Sequence, residues 1–356
     1  MPPARARLGE LGIVIGALEP GAANAITDVT GVKVGHATVI RDRPHVVRTG
    51  VTMILPREDV WTDYVYAGSH VLNGNGEMTG LIWVEESGML GSPVAITNTA
   101  QVGLVRDFLI KESYRLGVFD GFHLPVVAET WDGWLSTPES FPLTDNDAAA
   151  ALGSASGGAV AEGGVGGGTG MICHEFKGGI GTSSRIVPIG VDRFTVGVLV
   201  QANYGAREDL RVDGVPVGRA IGFDLVASPW DQPPNGGSII VVVATDAPLL
   251  PGQCKRLAQR ATVGLARVGG YGHDSSGDIF FAFSTANHLP ERTAGPREVR
   301  TLPNEAMDQL FHAVADATEE SILNALCAAD TMTGRDTRTA HAIPLDRLVE
   351  IVGERI

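Results

Sequence analysis

Ser238 stands at the head of an uninterrupted β-branched run, "SIIVVVAT", directly behind the Pro- and Gly-rich loop "DQPPNGG". Four Gly-Ser pairs occur, at Gly68-Ser69, Gly91-Ser92, Gly153-Ser154 and Gly237-Ser238. Only the last joins a turn-rich loop to such a run, and Ser92 is followed at once by Pro93. A rigid strand would hold the Ser238 hydroxyl still, and Gly237 offers a carbonyl with no Cβ to obstruct attack. The arrangement suits self-cleavage. The hydroxyl attacks the Gly237 carbonyl carbon, the acyl group moves from nitrogen to oxygen, and water hydrolyses the resulting ester. The freed α-amine, of a class that titrates near ~7.7–8.0, can then take the proton of its own hydroxyl, as in N-terminal threonine nucleophiles. The plain alternative is a turn with a small polar residue at its exit.

The other candidate motifs are weaker. None of the nine histidines lies in an H-E-x-x-H or G-x-S-x-G context, so an ordinary Ser-His triad has little support. His273 alone sits in a loop that otherwise looks chemical. "GGVGGGTG" at Gly163–Gly170 matches a loose G-x-G-x-x-G, but no strand-like run precedes it and no Walker lysine follows. Close backbone packing is the better reading of that loop. "NGNGEMTG" at Asn73–Gly80 reads first as turns, with pocket lining left open.

Composition narrows the class. Hydrophobic residues make up 44% and charged residues 19%, which is globular. There are 46 glycines among 356 residues, about 13% against roughly 7% in average proteins, so tight turns and close backbone approaches are expected. A formal charge of −14 with no basic patch argues against nucleic acid. Cys173, Cys254 and Cys327 are far apart and form no CxxC pair, so neither a disulfide framework nor a zinc site is expected. The opening "MPPARARLGELGIVIGAL" is mildly basic and then apolar, but Glu10 interrupts it and no A-x-A-like cleavage site follows. The expectation is a cytoplasmic protein, with a periplasmic one as the alternative. No segment reaches the ~20 apolar residues of a membrane helix.

The elements that must position Ser238 are read from periodicity. Short apolar runs at Val51–Leu55, Thr195–Val200, Ile239–Ala244 and Ile279–Phe283 predict buried strands. Helical spacing recurs near Thr99–Leu116, Gln253–Val268 and Asn304–Ala329. The stretch Asn146–Gly170 is a linker or a small-residue helix followed by a tight loop. Helices and strands alternate only loosely, which predicts a mixed α/β fold with large sheets rather than a parallel Rossmann arrangement.

"LGIVIGALEPGAANAITDVTGVKVGHATV", "NGNGEMTG", "GSPVAITNTAQVG", "VQANYG", "GGSIIVVVATDAPLLPGQCKRLAQRATVGLARVG" and "SSGDIFFAFSTAN" follow one another in this order. Together they resemble the DmpA-type peptidases, which include L-aminopeptidase/D-Ala-esterase/amidases and β-peptidyl aminopeptidases. The resemblance spans nearly the whole chain. It implies an α/β fold of the α+β type, a four-layer αββα sandwich like that of Ntn hydrolases with different connectivity. It also implies a single domain over residues 1–356, cut at Gly237-Ser238 into 1–237 and 238–356. Ser238 matches the nucleophile, and Ser276 with Asp278 in "SSGD" match a supporting serine and carboxylate. The β-peptidyl branch carries glutamate at the last position, and Asp278 is one methylene shorter. Asn203 matches an asparagine that helps hold the tetrahedral oxyanion. Glu129 in "AETWDG" matches an acidic residue that receives the substrate's amino group, with Trp131 or Trp134 as the wall of that pocket. Each has a plain reading: Ser276 and Asp278 as turn formers, Asn203 closing a turn with Gly205, Glu129 pairing with a surface arginine. The implied function is hydrolysis of N-terminal residues from short peptides, amides and esters. No metal or cofactor is implied, and a homo-oligomer of αβ units is. Two alternatives stay open: an ornithine/glutamate acetyltransferase-like enzyme, whose junction residue is typically threonine, and a non-catalytic binding protein on the same fold.

Overall fold

A computed structural model describes residues 5–118, 122–230, 237–291 and 294–354. The loop read at residues 231–236 lies outside the described residues. The run "SIIVVVAT" is a strand because both of its faces find apolar partners. Ile239, Val241 and Val243 pack in one core, while Ile240, Val242 and Ala244 pack in another. Such a strand must lie inside a sheet that is itself covered on both sides.

The strands in chain order are β1 (Lys33–Arg41), β2 (Val47–Leu55), β3 (Asp63–Gly74), β4 (Met89–Leu90), β5 (Val94–Asn98) and β6 (Val126–Thr130). They continue with β7 (Ile172–Cys173), β8 (Phe176–Lys177), β9 (Gly179–Ile189), β10 (Asp192–Asn203), β11 (Gly237–Thr245) and β12 (Ser276–Pro290). One sheet has the order β1-β2-β5-β6 and the other the order β4-β3-β12-β11-β10-β9, while β7 and β8 form a small ribbon of their own. The helices are α1 (Leu81–Ser87), α2 (Val102–Arg115), α3 (Asp145–Gly153), α4 (Val217–Ala220), α5 (Pro251–Val268), α6 (Met307–Ala328) and, near the C-terminus, α7 (Leu345–Gly353).

Three cores stack through the molecule. Val105, Phe108 and Leu109 of α2 and Ala148 and Ala151 of α3 meet Val51, Met53, Ala95 and Val127 on the outer face of the smaller sheet. Ile54, Val94, Ile96 and Val126 meet Leu199, Ile240, Val242, Phe281 and Phe283 between the sheets. Leu257, Ala261 and Leu265 of α5 and Leu310, Val314 and Ala317 of α6 cover the outer face of the larger sheet. The layering is αββα. Loose alternation of helices and strands follows from it, because each sheet draws strands from separated parts of the chain.

The boundaries differ from the periodicity in one direction. The runs read at Val51–Leu55, Thr195–Val200 and Ile279–Phe283 all grow into longer strands, since polar ends such as Arg48, Thr49 and Ser276 keep the ladder without apolar alternation. The helix read from Thr99 starts with a 3₁₀ turn at Thr99–Gln101, where the Asn98 Oδ1 accepts from the Gln101 N–H at 3.0 Å, and α2 follows. The small-residue stretch from Asn146 is the helix α3 and a loop, not a linker.

The loop "GGVGGGTG" fills a gap between elements. A Cβ on Gly167 would stand 2.7 Å from the Ile96 carbonyl oxygen, and Gly166 adopts φ +52° with the Val51 carbonyl close by. Only glycine allows that approach. The apolar N-terminal stretch is likewise absorbed. Leu8 is fully buried, and its N–H donates to Asn324 Oδ1 at 2.9 Å on α6. No helix among the described residues is long and apolar enough to cross a membrane.

Candidate active site

Strand pairing brings the sequence candidates together. β11 lies between β10, antiparallel, and β12, parallel, so that Ser238 is paired with Asn203 on one side and Gly277 on the other. Gly237 pairs with Ser276 and Ile239 with Asp278. Three separate segments of the chain thus meet at one end of the central strands of the larger sheet. There they border a cavity of about 530 Å³ that Gly237, Ser238, Asn203, Ser276, Asp278, Glu129, Trp131 and Trp134 all line. Ser238 is buried, 7% exposed, yet opens onto that cavity.

Ser276 and Asp278 are not turn formers; they open β12. The Ser276 hydroxyl donates to Asp278 Oδ1 at 2.6 Å, and Asn73 Nδ2 donates to Asp278 Oδ2 at 3.3 Å. Burial raises the Asp278 carboxyl above its ordinary value, against the pull of Ser276, the Ile239 backbone N–H and Asn73, which favour the charged form. The shorter aspartate therefore still reaches Ser276. It also grips the backbone one residue past Ser238.

The Asn203 amide is fixed at both ends. Its Oδ1 accepts from the Ile172 N–H at 2.8 Å, and its Nδ2 donates to the Trp131 carbonyl at 3.0 Å. With two N–H groups on that nitrogen, the second is left for the cavity. The left-handed turn is made by Gly205 at φ +92°, not by Asn203.

Glu129 is the next-to-last residue of β6 and is 3% exposed, and among the described residues no arginine forms an ion pair with it. Its Oε1 accepts from the Glu77 N–H at 2.9 Å and its Oε2 from the Thr99 hydroxyl. Burial raises its carboxyl, opposed by those two donors. A carboxylate offers about four lone-pair sites, so acceptor capacity remains for a cation. Both tryptophans border the cavity. Trp131 is 44% exposed, whereas Trp134 is held edge-on to Trp230 with ring centroids 5.5 Å apart and lies under Arg338.

Several lining residues carry no local signal in the sequence: Thr99, Glu175, Tyr204, Trp230 and Tyr271. Asn75 falls within "NGNGEMTG", so that turn does reach the pocket. His273 lines it too, but its backbone carbonyl is what contacts Asn73, at 2.8 Å. Cys173, Cys254 and Cys327 are buried free thiols pushed up to about 12 by burial, which keeps them unreactive.

A strand-head serine inside an αββα sandwich, beside an asparagine amide and a buried carboxylate, defines an Ntn-hydrolase-like architecture. Residues 24–340 match the peptidase family S58, and the chain belongs to that family. A β-peptidyl aminopeptidase of Sphingosinicella microcystinivorans is 45% identical over 355 residues, covering 95% of this chain and 89% of that protein. A β-aminopeptidase of a Burkholderia species superposes with a TM-score of 0.93 at 48% identity, over 98% of this chain and 99% of that one. The L-aminopeptidase D-Ala-esterase/amidase of Ochrobactrum anthropi, described as a new variant among the Ntn hydrolase fold, gives 0.92 at 44% identity over 98% of each chain.

Asp132 was not visible as a candidate. It is 2% exposed, its Oδ2 has no hydrogen-bond partner, and burial pushes it up to about 7 despite a bond from Thr49. A carboxyl raised in the folded state stabilises the fold fully below its unfolded value near ~3.9, and that contribution is lost as pH rises towards 7. Asp132→Asn removes the ionisable group. Its Tm relative to the natural chain is expected to rise between pH 4 and pH 7 and then level off; a Tm difference independent of pH would contradict the assignment.

Proposed function

We propose that this chain is a self-processing aminopeptidase in which Ser238 becomes both an N-terminus and the nucleophile. The observation that carries the reading is the single cavity onto which the Gly237-Ser238 peptide, the Asn203 amide and the buried Glu129 all open. Residues 1–237 and 238–356 would then be two chains of one αββα domain.

In the precursor the Ser238 hydroxyl adds to the Gly237 carbonyl carbon, and the tetrahedral oxygen is met by the Asn203 N–H. The C–N bond breaks, the proton passes to the departing nitrogen, and an ester remains on Ser238 until water cleaves it. The product holds a free α-amine on the same residue. Ser276, paired beside that amine and held by Asp278, orients it. The amine takes the hydroxyl proton as Ser238 attacks substrate, and returns it to the leaving group. Oxyanion donors of this kind contribute several kcal/mol where tested, on the order of 3 for one donor.

Glu129 gives the enzyme its demand for a free N-terminus. Its carboxylate, ionised when an ammonium sits against it, anchors the substrate while Trp131 and Trp134 flank the side chain. Substrates are short peptides, amino-acid amides and esters, as the names of the Sphingosinicella, Burkholderia and Ochrobactrum relatives suggest. An acyl-enzyme also permits transfer to an amine in place of water. Buried free thiols support a reducing, cytoplasmic setting, and assembly into a homo-oligomer of αβ units is part of this reading.

The purified protein is expected to run as two bands, the smaller with the N-terminal sequence Ser-Ile-Ile-Val. Ser238→Ala is expected to stay as one folded 37.3 kDa chain without activity. Full activity in an uncut chain, or a different new N-terminus, would contradict the processing step. Glu129→Gln is expected to process normally, because the Gly237 bond presents no free amine. Its kcat/KM for free-amine substrates should fall by about one to two orders of magnitude, the scale of a lost charge-assisted hydrogen bond. N-acetylated versions of the same substrates should be hardly affected. Equal losses on both would assign Glu129 to the fold or the nucleophile instead.

A further inference from the structure

Lys177, on β8, is fully buried, and among the described residues no carboxylate lies within ion-pair distance of it. An unpaired ammonium in an apolar interior is costly, and lysine is seldom kept there without a role. Its Nζ donates to three backbone carbonyls: Gly178 at 2.7 Å, Met171 at 3.0 Å and Gly168 at 3.3 Å. Three acceptors match the three hydrogens of the charged form, whereas a neutral amine has only two to give. Burial nevertheless pulls Lys177 down to about 7. The Cys173 thiol, pushed up to about 12, is uncharged beside it.

One of these carbonyls belongs to the peptide unit that holds the Asn203 side chain. The Met171 C=O and the Ile172 N–H are two ends of one amide plane. The first accepts from Lys177, and the second donates to Asn203 Oδ1 at 2.8 Å. The Asn203 amide then presents its N–H groups to the Trp131 carbonyl and the cavity. Successive hydrogen bonds polarise one another in a low-dielectric interior, and a charge at one end biases every bond in the row.

We propose that Lys177 is a positioning residue that orients and polarises the Asn203 amide, through the Met171–Ile172 peptide, as a donor to the reaction's oxyanion. The proposal rests on the oxyanion role given to Asn203 above. Lys177 touches neither substrate nor Ser238. Its charge strengthens a donor where negative charge develops, so the benefit falls on the transition state rather than on bound substrate.

The test is a double-mutant cycle between Lys177→Met and Asn203→Ala, with each variant incubated until its slowed conversion is complete and activities expressed per processed chain. It is read with an aminoacyl p-nitroanilide, and with an aminoalkyl boronic acid, which forms a tetrahedral adduct on a serine hydroxyl. Alone, Lys177→Met is expected to lower kcat and boronate affinity about tenfold, less than the hundredfold or more of losing the donor itself. KM should change by less than about twofold, as for an interaction made only in the transition state. In the Asn203→Ala background the lysine substitution should add less than about twofold, because the relay has lost its end. Precursor conversion should slow by the same factor as kcat. Should Lys177→Met not accumulate as folded protein, Lys177→Gln keeps a donor for the carbonyls without the charge and is expected to give the same pattern. Equal losses in both backgrounds, or a loss confined to KM or to thermal stability, would overturn the relay and leave Lys177 as a pin for the glycine loop. An Asn203→Ala variant with undiminished kcat would instead overturn the oxyanion role of Asn203, and the relay with it.

Discussion

The pairing of β11 between antiparallel β10 and parallel β12 decides where anything reactive can stand in this protein. A strand buried on both faces cannot slip by one residue without turning each of its side chains into the opposite core. Ile239 to Ala244 are locked in that sense, and the lock fixes Ser238 opposite Asn203 and Gly277. A β-branched run that looks merely structural thus fixes the place of the Ser238 hydroxyl, which is what the proposed acyl transfer requires. Gly277 contributes by its lack of a side chain, since a Cβ there would stand 2.5 Å from the Asn75 carbonyl oxygen. That turn in turn carries Glu77, whose N–H holds Glu129. Sheet register and the placement of Glu129 are parts of one connected arrangement.

Burial sets the electrostatics in and around the cavity. Glu129, Asp132 and Asp278 are all raised by desolvation, and Lys177 is lowered by it. Each carboxyl is kept usable by a different means. Asp278 has a hydroxyl, an amide and a backbone donor, Glu129 has a hydroxyl and a backbone donor, and Asp132 has little beyond Thr49. The ordering suits the proposed roles: Asp278 and Glu129, which the proposal uses as anions, are the better supplied with donors. In the proposed function an arriving substrate ammonium would add the missing counter-charge to Glu129, so that binding and ionisation of that carboxylate would reinforce each other. On that proposal a substrate without the charge would gain nothing there.

The sequence makes some of this legible and hides the rest for definite reasons. Apolar runs betray β11 and the middle of β10 and β12, because a doubly covered strand has no polar alternation. β9, "GIGTSSRIVPI", escapes the same reading although it is equally buried. Its small residues exist to let α6 approach closely: a Cβ on Gly181 would stand 2.7 Å from the Ala325 nitrogen. Ser183 meets Ser321 across the same contact at 3.1 Å. Small polar residues against small polar residues leave no hydrophobic period to read. The site divides similarly. Ser238, Ser276 and Asp278 lie at strand heads within recognisable motifs, while Thr99, Tyr204 and Trp230 reach the cavity only through tertiary folding. Lys177 and Asp132 declare themselves by burial alone, a property no spacing encodes.

The central claim is that substrate acyl groups pass through the Ser238 hydroxyl. The most direct measurement is rapid acid quenching of the enzyme during turnover of an amino-acid ester, followed by peptide mapping of the trapped adduct by mass spectrometry. The account predicts one aminoacyl group, located on Ser238 at the start of the smaller chain and absent from Ser276. An adduct on Ser276, on another side chain, or none under conditions where deacylation limits the rate, would contradict it.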